Sequence, residues 1–452
     1  MTVKVCRQHL SAVVLFLYTT AFGFATVISI RFTEINGAAS STIRSKTAFI
    51  CVSVVVALLL VVFVQLFYSR TEKLRFLPVA CLIPLGIFLV VLLQELKSAD
   101  WFKSYGDSGW LAKTINEGKP FSRWLLGTTG LIDIFGLLNA FVFSLSVQQF
   151  VIVASAMCMC AATIALQKGF GSKPYVLLPL TTPIWIAFSF GYDEYYPFIV
   201  GVFVLIALWI CVRPDAEFSH LKLGLIGTVP ALYVGFVPLA LFALVKILRK
   251  AKSVKEFAGG FALSVLAYLI ALEIGWPEGH SSYLVKLSQD MLLGDTREIH
   301  GYQGSSLSSK SPFFSLRSAF SFFHIRDMLF NAFFASGITA FLLLVTIFVY
   351  SREKQRGDLL AVKRSYRPTL AVTFVIWNAV YLLFMIPKLG PTSDIDLFFA
   401  TNFVFAIWCG VLLEKIFDYR QLSIRARANF MSAVVALNGP IVSSLVIYGI
   451  QR

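Results

Sequence analysis

Charged side chains are scarce in this chain, and their scarcity excludes a soluble globular protein. Only 14% of the 452 residues are charged and 58% are hydrophobic, whereas a soluble domain carries about a quarter charged residues. Too little polar surface is available to coat a water-soluble fold, so the sequence predicts that most of the chain is surrounded by lipid. We therefore expect an all-α, polytopic transmembrane bundle that forms one transmembrane domain over residues 1–452.

Acidic residues are the rarer of the two charged classes. The chain has 24 Asp and Glu against 39 Lys and Arg, for a formal net charge of +15. A positive surplus can indicate a nucleic-acid partner, but Lys and Arg are also enriched in the cytosolic loops of membrane proteins. Here the cations gather in short segments between apolar runs. The sequence therefore predicts membrane lipids, and no nucleic acid, as partners.

Reactive cysteines and the common soluble-enzyme motifs are also missing. The seven cysteines lie in or just before apolar runs, and Cys158 and Cys160 lack the spacing of a redox or zinc motif. No disulfide framework is expected. The chain contains no G-x-S-x-G, Walker A, H-E-x-x-H or Rossmann fingerprint.

Long apolar runs are abundant, and they predict about thirteen membrane-spanning helices at about 20 residues per span. The predicted spans are 10–30, 47–68, 76–94, 146–167, 174–190, 197–212, 222–234, 235–249, 257–275, 329–350, 369–387, 398–413 and 429–449. Basic residues flank 222–249 on both sides, which favours a hairpin there, although a single helix is the alternative. The first run lacks a small-residue cleavage site and is predicted to be an uncleaved span.

Loop charge predicts the orientation of the bundle in the cell inner membrane, with a cytoplasmic N-terminus. The predicted cytosolic loops are 69–75, 168–173, 213–221, 250–256, 351–368 and 414–428. Two predicted extracytoplasmic loops, 95–145 and 276–328, are too long to be simple connectors. Long ordered loops usually carry function, so we expect juxtamembrane helices and functional residues in both.

Three acidic patches fall in the predicted extracytoplasmic segments. Asp107 precedes a short helix-like run, where the helix dipole would keep it ionised and suited to act as a general base. Asp193 and Glu194 lie in a tyrosine-rich turn and can bind a metal or sugar hydroxyls. Asp394 and Asp396 form a D-x-D dipeptide. The alternatives are plain helix caps for Asp107 and Asp394 and a solvated turn for the second patch.

Basic residues accompany these acids on the same predicted face. The 276–328 loop contains His280, Arg297, His300, Lys310, Arg317, His324 and Arg326, and Lys388 precedes the third acidic patch. Arginine offers a bidentate fork to phosphate, although scattered solvated charges are the simpler explanation. Intramembrane ionisable residues are few, with Asp133 and Glu273 the main ones. Because transporters usually place such groups near the midplane, this distribution favours a surface-facing enzyme.

The arrangement resembles the GT-C class of membrane glycosyltransferases. Asp107-Ser108-Gly109 resembles the acidic element of that class in the first large outside loop, and residues 191–197 resemble its second acidic element. Residues 321–331 resemble the loop end that re-enters the membrane, and 390–398 resemble an Asp-rich element of some bacterial members. Two features depart from the class: Asp107 follows the third predicted span rather than the first, and the sequence predicts no large C-terminal soluble domain. The compact size is closer to single-sugar transferases, including arabinofuranose-transferring ones.

The resemblance implies one inverting transfer from a polyprenyl-phosphate-linked sugar to a hydroxyl of a glycan, lipid or pilin-like protein at the extracytoplasmic face. Asp107 would be the general base. The implied substrate-binding residues are Asp193, Glu194, Arg297, His324, Arg326, Lys388, Asp394 and Asp396. The basic members of that set would offset charge on the departing phosphate. No cofactor is certain, and a divalent cation held by Asp107, Asp193 or Glu194 is left open.

Two other classes remain as alternatives. An O-antigen-type polymerase or ligase shares the multi-span layout but depends on Arg and His, here Arg297 and His300, without an essential carboxylate. A polytopic transporter or lipid flippase would move its substrate without covalent transfer.

Overall fold

The structure, a computed structural model, describes a little under half of the chain in several segments. These are residues 22, 46–69, 147–189, 196–212, 224, 226–227, 254–275, 320, 322–355 and 399–444. Their regular structure is all-helical, without strands, and the all-α prediction is confirmed for this part of the chain. The predicted spans 10–30, 76–94, 222–234, 235–249 and 369–387 lie wholly or almost wholly outside the described residues. The predicted number of spans stays a prediction.

Ten helices run through the described segments. They are α1 (Lys46–Phe67), α2 (Val147–Phe170), α3 (Pro174–Leu180), α4 (Pro183–Ser189), α5 (Tyr196–Val212), α6 (Val254–Gly275), α7 (Phe322–Ser336), α8 (Ile338–Gln355), α9 (Phe399–Tyr419) and α10 (Ile424–Ala436). Beyond α10 the chain turns at residues 437–438 and is helical again over 439–444.

Two of these helices are long and apolar enough to span a membrane. They cover Phe49–Phe67 of α1 and Phe399–Tyr419 of α9. Most of α9 is buried by its neighbours, whereas α1 exposes a face that includes Leu58 and Leu59. Apolar residues all around a helix are typical of a lipid-facing or fully enclosed position. Helix α9 therefore forms the centre of the described bundle, and α1 lies at its edge.

The neighbours of α9 pack along its whole length. Helices α3 and α4 run antiparallel to it, since Lys173 contacts Glu414 near one end and Phe188 contacts Phe399 at the other. At Gly410 the two backbones touch, because a Cβ there would lie 2.3 Å from the Cα of Tyr175. Small residues permit such close helix contacts in membranes.

Helix α8 runs parallel to α9 on another side. Its Thr346 hydroxyl lies 3.8 Å from the sulfur of Cys409, and nearer its end Glu353 pairs with Arg420. Helix α10 instead returns antiparallel to α1. Gln65 near the end of α1 donates to Ser432 of α10 at 2.9 Å, which fixes the two helices side by side.

Several helix boundaries differ from the sequence prediction. The span predicted at 174–190 is interrupted at residues 181–182, between the prolines Pro179 and Pro183, because proline removes a helical hydrogen bond. The span predicted at 329–350 starts earlier, at Phe322, and is interrupted at Gly337. The cytosolic loop predicted at 414–428 is mostly helical and contains only a short turn between α9 and α10, and four of its charged residues, Glu414, Asp418, Arg420 and Arg427, form ion pairs.

Candidate functional site

The predicted catalytic base and most of the predicted substrate-binding residues lie outside the described part of the chain. They are Asp107, Asp193, Glu194, Arg297, Lys388, Asp394 and Asp396. Helix α7 includes His324 and Arg326 close to its start, within what was predicted as the end of the 276–328 loop. Their backbone is therefore helical. The roles of all nine residues stay predictions.

An aromatic cluster joins the ends of three helices that border two of the acidic patches. The ring centroid of Tyr196, at the start of α5, lies 6.2 Å from that of Phe188 in α4 and 5.6 Å from that of Phe399 at the start of α9. The Phe188 and Phe399 centroids are 6.1 Å apart. All three side chains are buried. Edge-on and offset aromatic contacts of this kind fix the relative positions of the helix ends.

These helix ends are adjacent in sequence to predicted site residues. Asp193 lies three residues before Tyr196, and Asp396 lies three residues before Phe399. Three residues of chain span at most about 11 Å. The structure thus brings together the points from which the second and third acidic patches leave the bundle. The acidic side chains themselves are outside the described residues.

A polar site, separate from the aromatic cluster, lies inside the bundle where three interrupted helices meet. Thr181 ends α3 with non-helical backbone angles, Gly337 separates α7 from α8, and Asn438 lies in the turn after α10. The Asn438 side-chain amide donates to the Thr181 carbonyl at 2.9 Å, and its oxygen accepts from the Ile338 N–H at 2.8 Å. Asn438 is buried. One side chain therefore satisfies backbone groups freed at two of the interruptions, as a low-dielectric interior demands.

Other uncharged polar side chains lie on the helices that meet at Asn438. The Ser336 hydroxyl hydrogen-bonds to the Asn402 side-chain oxygen, joining the end of α7 to α9. The amide nitrogen of Asn402 and the hydroxyl of Thr339 are buried without a hydrogen-bond partner among the described residues. Buried polar groups are usually paired, so such exceptions call for a water molecule or a change of conformation.

An ionic cluster lies at the opposite end of α9. The Glu414 carboxylate contacts the Lys173 ammonium and the Arg427 guanidinium, the latter at 3.3 Å. Arg427 also binds Asp418 at 2.9 Å and donates to the carbonyl of Leu422. The turns between α2 and α3 and between α9 and α10 are thereby tied to each other. We call the region formed by this cluster and the Arg420–Glu353 pair the ion-paired end.

Tyr68, which follows α1 just outside its candidate span, is perturbed by this cluster. Burial raises the pKa of its phenol, the negative charge of Glu414 raises this pKa further, and the positive charge of Arg427 opposes both. Its hydroxyl has no hydrogen-bond partner in the part of the chain that the structure describes. Tyr68 is therefore a neutral, buried phenol at neutral pH.

No group of three or more potential metal ligands occurs within the described residues, and Cys51, Cys158, Cys160 and Cys409 form no disulfide bond there. The predicted metal candidates Asp107, Asp193 and Glu194 lie outside the described residues.

Sequence reasoning did not identify Asn438, Asn402 or Glu414. A signal for Asn438 existed, since Asn438, Gly439 and Pro440 are three helix-disfavouring residues in succession inside an apolar run. Glu414 offered no such signal, because its partner Lys173 is remote in sequence.

The chain matches no family model, no curated protein and no solved structure.

Proposed function

We propose that the chain is a polytopic membrane glycosyltransferase of the GT-C type. It transfers a sugar from a polyprenyl-phosphate donor to an acceptor hydroxyl at the extracytoplasmic face of the cell inner membrane. The observation that carries this proposal is the contact of Tyr196 with Phe399, which joins the helix ends next to two of the predicted acidic patches. A shared active site requires these patches to leave the bundle close to each other.

The charge distribution along α9 supports a two-sided arrangement. Phe399 and Glu414 are separated by fifteen residues of one helix, or about 22 Å at 1.5 Å per residue. The aromatic cluster is at one end, and the ion-paired end, which carries the basic segments, is at the other. Since basic segments stay in the cytosol, this separation favours an extracytoplasmic position for the acidic patches.

The proposed reaction is a single displacement at the anomeric carbon. Asp107 accepts the proton of the acceptor hydroxyl as its oxygen bonds to C1 of the sugar. The bond between C1 and the phosphate oxygen breaks, polyprenyl phosphate leaves with the electron pair, and the configuration at C1 inverts. Cationic groups such as His324 and Arg326 at the start of α7 would offset the charge that develops on the phosphate.

The proposal is tested with the full-length chain reconstituted in liposomes. Polyprenyl-phosphate-linked arabinofuranose and polyprenyl-phosphate-linked hexoses serve as donor probes, and release of polyprenyl phosphate is measured with membrane glycolipid extract as acceptor. We expect Asp107→Asn to lower the rate by about 10²–10⁴-fold, the usual contribution of a general base. Asp358→Asn, in a predicted cytosolic loop, is the matched control and should retain activity.

Full activity in the Asp107→Asn protein would overturn the assignment of the base. Loss of activity in Arg297→Ala and His300→Ala, combined with retention in Asp107→Asn, would instead favour an O-antigen-type enzyme. Absence of transfer from every donor probe by the folded wild-type protein would count against the glycosyltransferase proposal itself.

The interrupted helices favour transport as a second candidate function. Discontinuous helices that meet inside a bundle are typical of secondary transporters, and three such interruptions meet at Asn438. A transporter would move a labelled sugar or lipid-linked sugar across sealed vesicles without forming a new covalent bond. Transfer product without vesicle uptake would exclude it.

A further inference from the structure

Among the residues that the structure describes, the ion-paired end has more cationic than acidic side chains. Seven cations whose side chains the structure describes lie there: Lys168, Lys173, Arg352, Lys415, Arg420, Arg425 and Arg427. The described acids at this end are Glu353, Glu414 and Asp418, and all three already form ion pairs with Lys173, Arg420 or Arg427. Arg352 and Arg425 are exposed and form no ion pair with any described residue. Two arginines are therefore available to an external anion.

Arg425 is presented on a rigid turn. It lies in the first turn of α10, which Ser423 caps by accepting a hydrogen bond from the Ala426 N–H at 3.2 Å. Two residues further on, Arg427 is held by Glu414, Asp418 and the carbonyl of Leu422. Because this turn is fixed by several bonds, Arg425 loses little conformational freedom of its backbone on binding.

Arg352 is held beside the same turn. Its chain neighbour Glu353 pairs with Arg420, which immediately follows α9. This pair connects the end of α8 to the short connection that leads into α10. The two exposed arginines thus lie on the two segments that the Arg420–Glu353 pair joins.

An exposed apolar side chain accompanies these cations. Ile424 is 47% exposed and directly precedes Arg425, and the candidate span of α9 ends at Tyr419, five residues earlier. An apolar side chain next to an arginine at the end of a membrane-length helix matches the boundary between acyl chains and headgroups. Negatively charged headgroups complement the surplus cations, whereas the phosphate of a zwitterionic lipid is balanced by its own ammonium.

We propose that Arg352 and Arg425 bind the phosphate groups of anionic phospholipids in the leaflet at the ion-paired end. Each guanidinium donates two parallel hydrogen bonds to phosphate oxygens, and Ile424 contacts the acyl region. The inference rests on the proposed membrane placement of the chain and not on its proposed enzymatic activity.

The test uses the purified full-length protein, delipidated in a neutral detergent. Dioleoyl phosphatidylglycerol and dioleoyl phosphatidylcholine are titrated separately, and retained lipid is counted by native mass spectrometry. We expect tighter retention of the anionic lipid by the wild type. Arg425→Gln and Arg352→Gln should each weaken it about fivefold, the equivalent of one basic residue near an anionic surface, and leave phosphatidylcholine retention unchanged.

Lys255→Gln is the matched control, because it removes one exposed positive charge from the start of α6. Equal weakening by this variant would mean that only net charge matters and would overturn the assignment to the two arginines. Equal retention of both lipids by the wild type would overturn the proposal as a whole. The two arginine variants lie on different helices, so one remains informative if the other misfolds. No sugar donor enters the experiment, and its failure is therefore distinct from failure of the glycosyltransferase proposal.

Discussion

Asn438 and Thr181 are 257 residues apart in the chain, yet the side-chain amide of Asn438 donates to the carbonyl of Thr181 at 2.9 Å. The same side chain accepts from the N–H of Ile338, just after Gly337. Each contact supplies a partner to a backbone group at a helix interruption, buried at Thr181 and partly buried at Ile338. A single amide therefore stabilises the meeting point of three interrupted helices.

Removal of this amide should destabilise the bundle. Asn438→Ala leaves the Thr181 carbonyl and the Ile338 N–H without partners, and we expect a loss of about 2–4 kcal/mol in unfolding free energy. Unfolding by SDS titration in mixed micelles measures it. Asn429→Ala on α10 is the control, since Asn429 is exposed and, among the described residues, accepts a single hydrogen bond, from Gln65 at 3.3 Å. A loss in Asn438→Ala no larger than in this control would contradict the role of Asn438.

Gly337 should tolerate no side chain. Its φ of +61° lies in the left-handed region, and a Cβ would meet the Asn438 side-chain oxygen at 2.1 Å. We expect Gly337→Ala to cost at least about 2 kcal/mol, from backbone strain and displacement of the amide. In the Asn438→Ala background the cost should be smaller, because one clash is gone. The control Gly169→Ala, in α2 with no atom within 4 Å of its Cβ, should be neutral or stabilising. Additive costs would argue against the contact.

Apolar runs predicted the outer limits of several helices well. The spans predicted at 47–68 and 197–212 correspond within one residue to α1 (Lys46–Phe67) and α5 (Tyr196–Val212). Each span is one predominantly apolar run, and such a run is typical of a single helix. The interruption at Gly337 escaped prediction. A glycine in an apolar run is compatible with a continuous helix, and only the contact with Asn438, remote in sequence, selects the broken form.

The sequence predicts candidate site residues, whose roles stay predictions, but it does not predict how the helices next to them are arranged. Acidic residues in predicted polar turns led to the prediction of site segments around Asp193 and Asp396. That their neighbours Tyr196 and Phe399 pack at 5.6 Å is a contact between distant parts of the chain, and local patterns carry no information about it. The ion pair of Lys173 with Glu414 escaped prediction for the same reason: Glu414 was assigned to a loop because its partner was unknown.

Glu414 should contribute more to stability than its exposed neighbour Asp418. Its side chain is 11% exposed and serves Lys173 and Arg427 together. Glu414→Gln leaves Arg427 partly uncompensated, and we expect a loss of about 2 kcal/mol, less than for a fully buried pair because Lys173 is partly exposed. Asp418→Asn removes a second acid from the same arginine at a 54% exposed position and should cost under about 1 kcal/mol. The unfolding free energy of both variants is measured by SDS titration. Equal losses would contradict the prediction that Glu414 contributes more to stability than Asp418.

Tyr68 should make the stability of the bundle fall at alkaline pH. Burial, and then the charge of Glu414, raise its pKa above the ordinary value of 10.0. Above pH 10 the unfolded chain has therefore lost a proton that the folded chain keeps, and the unfolding free energy decreases as pH rises. The stabilisation is fully present below pH 10 and declines above it by up to about 1.4 kcal/mol per pH unit. Tyr68→Phe lacks this titration, so the stability of the variant relative to wild type should increase between pH 10 and 11. Groups that titrate alike in both proteins cancel in this difference between the two unfolding free energies. Parallel stability curves for the two proteins between pH 10 and 11 would show that Tyr68 ionises as readily in the folded chain as in the unfolded one.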